Sequence, residues 1–201
     1  MASTTISPKD VSELRVRTGA GMMDCKRALE ESGGDMDKAS EILRKKGIAK
    51  AEKRAGKVAS QGVVVSYLHH NGQVGSLVEL NCETDFVART EDFQQLARDI
   101  ALHVASADPI GVNPDDIPAE LLERERRIAE EQVAQEGKPE NIRAKIVDGK
   151  LKKFVAERTL TEQPFVKDDK KSVGQLIKEA SARLGEAISV RRFARFKIGE
   201  I

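Results

Sequence analysis

Tryptophan is absent from this 201-residue chain, aromatic residues make up only 3% of it, and cysteine occurs twice. So few large rings argue against an all-β design. With 33% charged residues, the composition favours helices with heavily solvated faces. Cys25 and Cys82 lie far apart and form no pair motif, which argues against a disulfide scaffold or a zinc ribbon and points to a reducing compartment. No run approaches the ~18 apolar residues that span a bilayer. The N-terminus Met1-Ala-Ser-Thr-Thr lacks a basic segment followed by an apolar one, so the chain is expected in the cytoplasm and off membranes. Net charge is nearly missing too, at 34 basic against 33 acidic residues. Nothing draws the whole chain toward nucleic acid, and partners must be chosen locally. Neither G-x-x-x-x-G-K-[ST], G-x-G-x-x-G nor G-x-S-x-G occurs, so nucleotide and serine chemistry lack their usual hardware.

What is present suits one ordinary domain plus a small module. Ser7, Pro8 and Asp10 read as a cap, a first-turn proline and an acidic third position opening a helix that ends at Thr18-Gly-Ala-Gly21. A second helix is expected from about Met22 to Glu31. A third should begin after Asp35, carry Met36, Ala39, Ile42 and Leu43 on one stripe, and close near Gly47. Three short helices bury only a small core, better suited to docking than to catalysis. Residues 49–61 read as a linker or short exposed helix. Val63–Leu68 and Val74–Leu80 flank Asn71-Gly72, a two-residue hairpin signal that sets Val63 opposite Leu80 and Val65 opposite Val78. After a loop at Glu83–Arg89, Thr90 caps a core helix with Phe93, Leu96, Ala97, Ile100, Ala101 and Val104 on one face. A connection through Pro109, Pro114 and Pro118 leads to two charged helices, about 118–135 and 139–157. They are broken at Gly137-Lys-Pro139 and expected to pair antiparallel. A last helix from Ser172 closes at Gly185, and Ile188, Val190, Ala194, Phe196 and Ile198 alternate as a third strand. The fold class is therefore α+β, a three-stranded antiparallel sheet packed with helices behind a helical module.

Candidate chemistry is sparse. His69 and His70 are adjacent on a strand and should point to opposite faces, which argues against a metal site. Cys25 has no histidine nearby in sequence, and a small half-buried cysteine is its plain reading. Two stretches are too particular for their surroundings. Thr18–Asp24 offers Met22 and Met23 at a helix start, where spacing alone favours core packing. Thr84-Asp-Phe-Val87 lies in a loop, where Phe86 could cover a helix end and Asp85 could serve a turn. Arg191, Arg192, Arg195 and Lys197 crowd the last strand. Stacking aromatics are few, so a solvated face or partner contact outweighs RNA binding.

Four stretches resemble the elongation factor Ts family. They are Leu14-Arg-Val-Arg-Thr-Gly-Ala-Gly-Met-Met-Asp-Cys-Lys26, Glu79-Leu-Asn-Cys-Glu-Thr-Asp-Phe-Val-Ala88, Gly149–Phe154 with Leu160–Val166, and Leu184-Gly-Glu186 with Val190-Arg-Arg-Phe193. The resemblance implies a non-enzymatic exchange factor that binds elongation factor Tu, displaces its Mg²⁺ and promotes GDP release, without a cofactor or metal of its own. It implies a ubiquitin-associated-like docking domain at 1–48, a linker at 49–61 and an exchange and dimerisation core at 62–201. Thr84, Asp85, Phe86 and Val87 would intrude beside the partner's nucleotide site, Arg17, Met22 and Met23 would dock, and His69, His70 and Gly185 would touch another partner domain. Longer family members have a fuller second half of the core and a final helical tail. The short arrangement implies a homodimer, through the sheet face or the charged helices. The alternatives are a binding adaptor resting on the helical module alone, and a redox or metal enzyme using Cys25 or Cys82.

Overall fold

The computed structural model describes residues 6–54, 56–137 and 139–200, with the side chains of 50–52 excepted. The N-terminal stretch 1–5, Ala55 in the expected linker, Lys138 in the expected helix break, and Ile201 lie outside the described residues. The chain forms two compact units that interleave in sequence: one runs to Gly62 and adds Asn81–Phe93 and Ile177–Ser189; the other holds Val63–Leu80, Gln94–Leu176 and the chain from Val190.

The first unit begins with three helices. Helix α1 (Pro8–Thr18) opens on a reciprocal cap, in which the Asp10 N–H donates to Ser7 Oγ at 3.1 Å and the Ser7 N–H donates to Asp10 Oδ2 at 3.2 Å. It ends on Gly19 in the left-handed region, φ 68°. Helix α2 (Met22–Glu31) stops at Gly33-Gly34, whose Gly34 N–H reaches back to Leu29 O at 2.8 Å. Helix α3 (Met36–Arg54) starts under Asp35, which accepts from the Asp37 and Lys38 N–H groups. The core is the expected small one: Val11, Leu14, Cys25, Ala28, Leu29, Ala39 and Leu43, edged by Met36 and Ile42.

Helix α3 does not close at Gly47 but continues to Arg54, into the stretch read as a linker or short exposed helix. Gly47 is instead a point of close approach. A Cβ there would stand 2.9 Å from Ala182 Cβ on helix α8 (Val173–Leu184), so glycine lets two helices of this unit meet. Helix α8 begins after Ser172, whose Oγ accepts from the Gln175 N–H at 3.2 Å, and closes as expected on Gly185, at φ 75°.

The second unit holds a three-stranded antiparallel sheet with strand order β1 (Gln61–Leu68), β2 (Val74–Cys82), β5 (Ser189–Lys197). The hairpin turn differs from the two-residue form. His69 N–H pairs with Val74 O, Gly72 N–H bonds His69 O, and Gly72 alone of the turn is left-handed, at φ 69°. The His69–Val74 pairing is in the same register as the expected facing of Val65 with Val78. Helix α5 (Glu91–Ala107) buries Phe93, Leu96, Ala97, Ile100, Ala101 and Val104, the whole expected stripe. The Ser76 hydroxyl donates to Ala101 O at 2.7 Å and ties β2 to α5. Helices α6 (Ala119–Gln135) and α7 (Glu140–Arg158) pack through Ala129, Val133, Val147 and Leu151.

Two features of this unit depart from expectation. A small antiparallel pair, β3 (Pro164–Phe165) with β4 (Asp168–Ser172), occupies a segment given no element in the sequence reading. Along β5, Arg191 and Arg192 are both exposed and break the alternation. Phe193 and Arg195 turn inward, leaving Phe196 and Ile198 70% and 74% exposed.

Candidate functional site

Between β2 and α5, where the sequence suggests a plain loop, one further turn forms: helix α4 (Asp85–Ala88). Thr84 is its N-cap, with backbone φ −126° and ψ 155°, and its Oγ1 accepts from the Val87 N–H at 3.4 Å. Ala88 alone of the four residues is buried. Phe86 stands 77% exposed, a large ring turned to solvent in a chain that has few rings. Asp85 is ion-paired with Arg89 at 2.5 Å on the surface. Phe86 therefore does not cover a helix end, and its exposure contributes nothing to folding.

The turn is held by two glutamates to which sequence reasoning assigns no role. Glu186 Oε2 accepts from the Glu83 N–H at 3.1 Å and the Thr84 N–H at 3.0 Å, while its Oε1 accepts from the Thr84 hydroxyl at 2.6 Å. Reciprocally, Glu83 Oε1 accepts from the Ala187 N–H at 2.8 Å. Arg54 and Lys57 lie at 3.2 and 3.3 Å from the Glu83 carboxylate. The Ala187 N–H, followed by those cations, holds the Glu83 carboxyl below its ordinary range. Burial, and then the negative Glu186, push the neighbouring Cys82 thiol up, so it is a poor thiolate and donates instead to Thr84 O at 3.1 Å. Both glutamates fall inside the motifs quoted above, yet only the fold reveals that residues more than a hundred positions apart cap one another.

Gly185, next to this clamp, lines a cleft of the same unit with Arg17, Gly19, Ser40, Gly47 and Arg183. Arg17 is ion-paired with Asp37 at 2.7 Å. Met22 and Met23 are 45% and 66% exposed on the first turn of α2, so neither is a core residue; Met36 packs on the core in their place. His69 and His70 belong to the other unit. They lie beyond the end of β1 rather than on it, which is why their rings approach to 4.2 Å instead of facing apart. Tyr67 Oη and His69 Nδ1 are 3.0 Å apart. Among the described residues no group of three or more His, Cys, Asp and Glu side chains could hold a metal ion, and no helix is long and apolar enough to cross a membrane.

Known proteins resemble this chain over nearly its whole length. The family model described as Elongation factor TS matches residues 34–200. Elongation factor Ts of Syntrophomonas wolfei is 56% identical over 195 residues, 97% of this chain and 91% of the relative. That of Thermosipho melanesiensis is 55% identical over 97% of this chain and its own full length. That of Desulfosudis oleivorans is 53% identical over 98% of this chain and 99% of its own. By class, the protein is a translation elongation factor. Within that class, the chain belongs to the elongation factor Ts family.

Proposed function

We propose that this chain is a guanine-nucleotide exchange factor that acts without covalent chemistry, docking on elongation factor Tu in the cytoplasm and driving out GDP. The observation that carries the reading is Phe86: an exposed ring on a capped turn, available to wedge into another protein. A bound nucleoside diphosphate is held by a backbone nest, a lysine and Mg²⁺, and the metal demands near-octahedral geometry. A ring pressed between the partner's packed side chains shifts an element that supports the metal, and burial of the ring offsets part of the strain at roughly 25 cal/mol per Å². Met22, Met23 and Arg17 dock the helical module at residues 1–48. His69, His70 and Gly185 meet a second domain of the partner. Coupling is reciprocal: a factor that weakens GDP binding about a thousandfold is itself weakened equally by GDP, a coupling of ~4 kcal/mol, so incoming GTP expels it.

The chain works as a homodimer joined through the outer sheet face, where Val64, Leu68, Leu77, Phe196 and Ile198 are exposed together. Lys197 and Glu200 give one edge of that face both charges, so a two-fold copy can meet opposite sign. A monomer at micromolar concentration by light scattering would exclude the dimer.

Release of a fluorescent GDP analogue from elongation factor Tu tests exchange. Wild type should accelerate it strongly, and Asp85→Ala and Phe86→Ala should lose the acceleration while still binding nucleotide-free Tu. No acceleration by wild type would leave a docking adaptor in place of an exchange factor.

A further inference from the structure

Helix α4 has one buried residue and four positions, so packing does not determine where it points. What holds it is the Glu186 carboxylate, which takes three donors from two consecutive residues: the Glu83 N–H, the Thr84 N–H and the Thr84 hydroxyl. The third bond matters most for direction. The same Thr84 oxygen that donates to Glu186 accepts from the Val87 N–H, so the carboxylate orients the cap and the cap orients the turn that carries Phe86. The backbone around Glu186 is in turn hydrogen-bonded on both sides. The Glu186 carbonyl accepts the buried Ser181 hydroxyl, the preceding Gly185 N–H bonds Ser181 O at 2.9 Å, and the following Ala187 N–H is captured by Glu83.

We propose that Glu186 is the positioning residue of the exchange element: through Thr84 it sets the direction in which Phe86 is presented. This rests on the exchange reading for its consequence, but the clamp itself is measurable in the free protein. Both carboxylates accept backbone N–H donors, and Glu83 also faces Arg54 and Lys57. Losing Glu186 leaves the Glu83 and Thr84 N–H groups and the Thr84 hydroxyl to water and lets the short turn fray. The α5 stripe remains buried.

Two measurements on the full-length chain test this. Amide hydrogen exchange in the free protein should be faster at Val87 and Ala88 in Glu186→Ala, with the α5 amides of Ile100 and Val104 unchanged. Unchanged protection at α4 would overturn the proposal whatever the chain does to Tu. Stimulated GDP release should fall about tenfold or more in Glu186→Ala, equivalent to ~1.4 kcal/mol. It should be partly restored in Glu186→Gln, whose amide oxygen keeps an acceptor. In a Phe86→Ala background, Glu186→Ala should add no further loss, because both act through one ring. An equal loss in both backgrounds would overturn the proposal by showing that Glu186 acts elsewhere. If wild type itself fails to stimulate release, the exchange reading falls and the amide measurement still decides the clamp.

Discussion

Helices α4 and α5 are neighbours in sequence and are placed by opposite means. Helix α5 is seventeen residues long and carries six buried apolar side chains on one stripe, so the hydrophobic effect sets its position and almost any change there is felt by the whole fold. Helix α4 is four residues long, buries one alanine and turns its largest side chain to solvent. Directional hydrogen bonds accepted by Glu186 and by Thr84 Oγ1 position it instead. On the proposed reading, the contrast separates where the protein is stable from where it works: a presented ring can be kept sharp in direction without being part of the core.

The comparison breaks most visibly at the core helix. Ile100→Ala, at a fully buried position, should cost about 2 to 5 kcal/mol in denaturant unfolding, as large-to-small core changes do. Acid should come next, through His103 at the same helix. Its Nδ1 accepts from the Val166 N–H at 3.2 Å, so Nε2 donates to Gln163 at 3.0 Å, and the neutral ring is fully used. Burial lowers its pKa from 6.5, with the Gln163 bond opposing. The unfolded chain therefore takes up the proton first as pH falls. This contribution to stability is present above the unfolded value and is lost below it. The denaturation midpoint should drop from pH 7.5 to 5.5, and His103→Gln should flatten that slope; an unchanged slope would remove His103 as its source.

At α4 the expected stability effects are smaller. Thr84→Ala removes a cap and should cost ~1 kcal/mol in the same unfolding measurement while lowering exchange. Thr159→Val should run the other way. Its Oγ1 is buried without a hydrogen-bond partner among the described residues, so replacing the hydroxyl by a methyl should be neutral or raise the unfolding midpoint, by up to ~1 kcal/mol.

Legibility in the sequence follows the same divide. The reciprocal cap at Ser7 and Asp10, the stripe of α5, and the glycines closing α1, α2 and α8 are local signals, and local physics suffices to place them. Gly47 misleads because a glycine after an apolar stripe looks like a helix end, when its role is to admit Ala182 of a distant helix. The inner face of β5 is misread because a strict alternation through Phe196 ignores the two exposed arginines that shift it. Thr84–Val87 stands out as a motif, but its helical turn depends on an acceptor more than a hundred residues away, and no spacing rule reaches that far.

GDP release and thermal unfolding measured side by side on wild type and Phe86→Ala test most directly whether α4 is the working element. Stimulated release should fall at least tenfold while the unfolding free energy stays within about 0.5 kcal/mol, the ordinary range for a surface change. Equal stimulation by both chains would contradict the assignment of exchange to this ring.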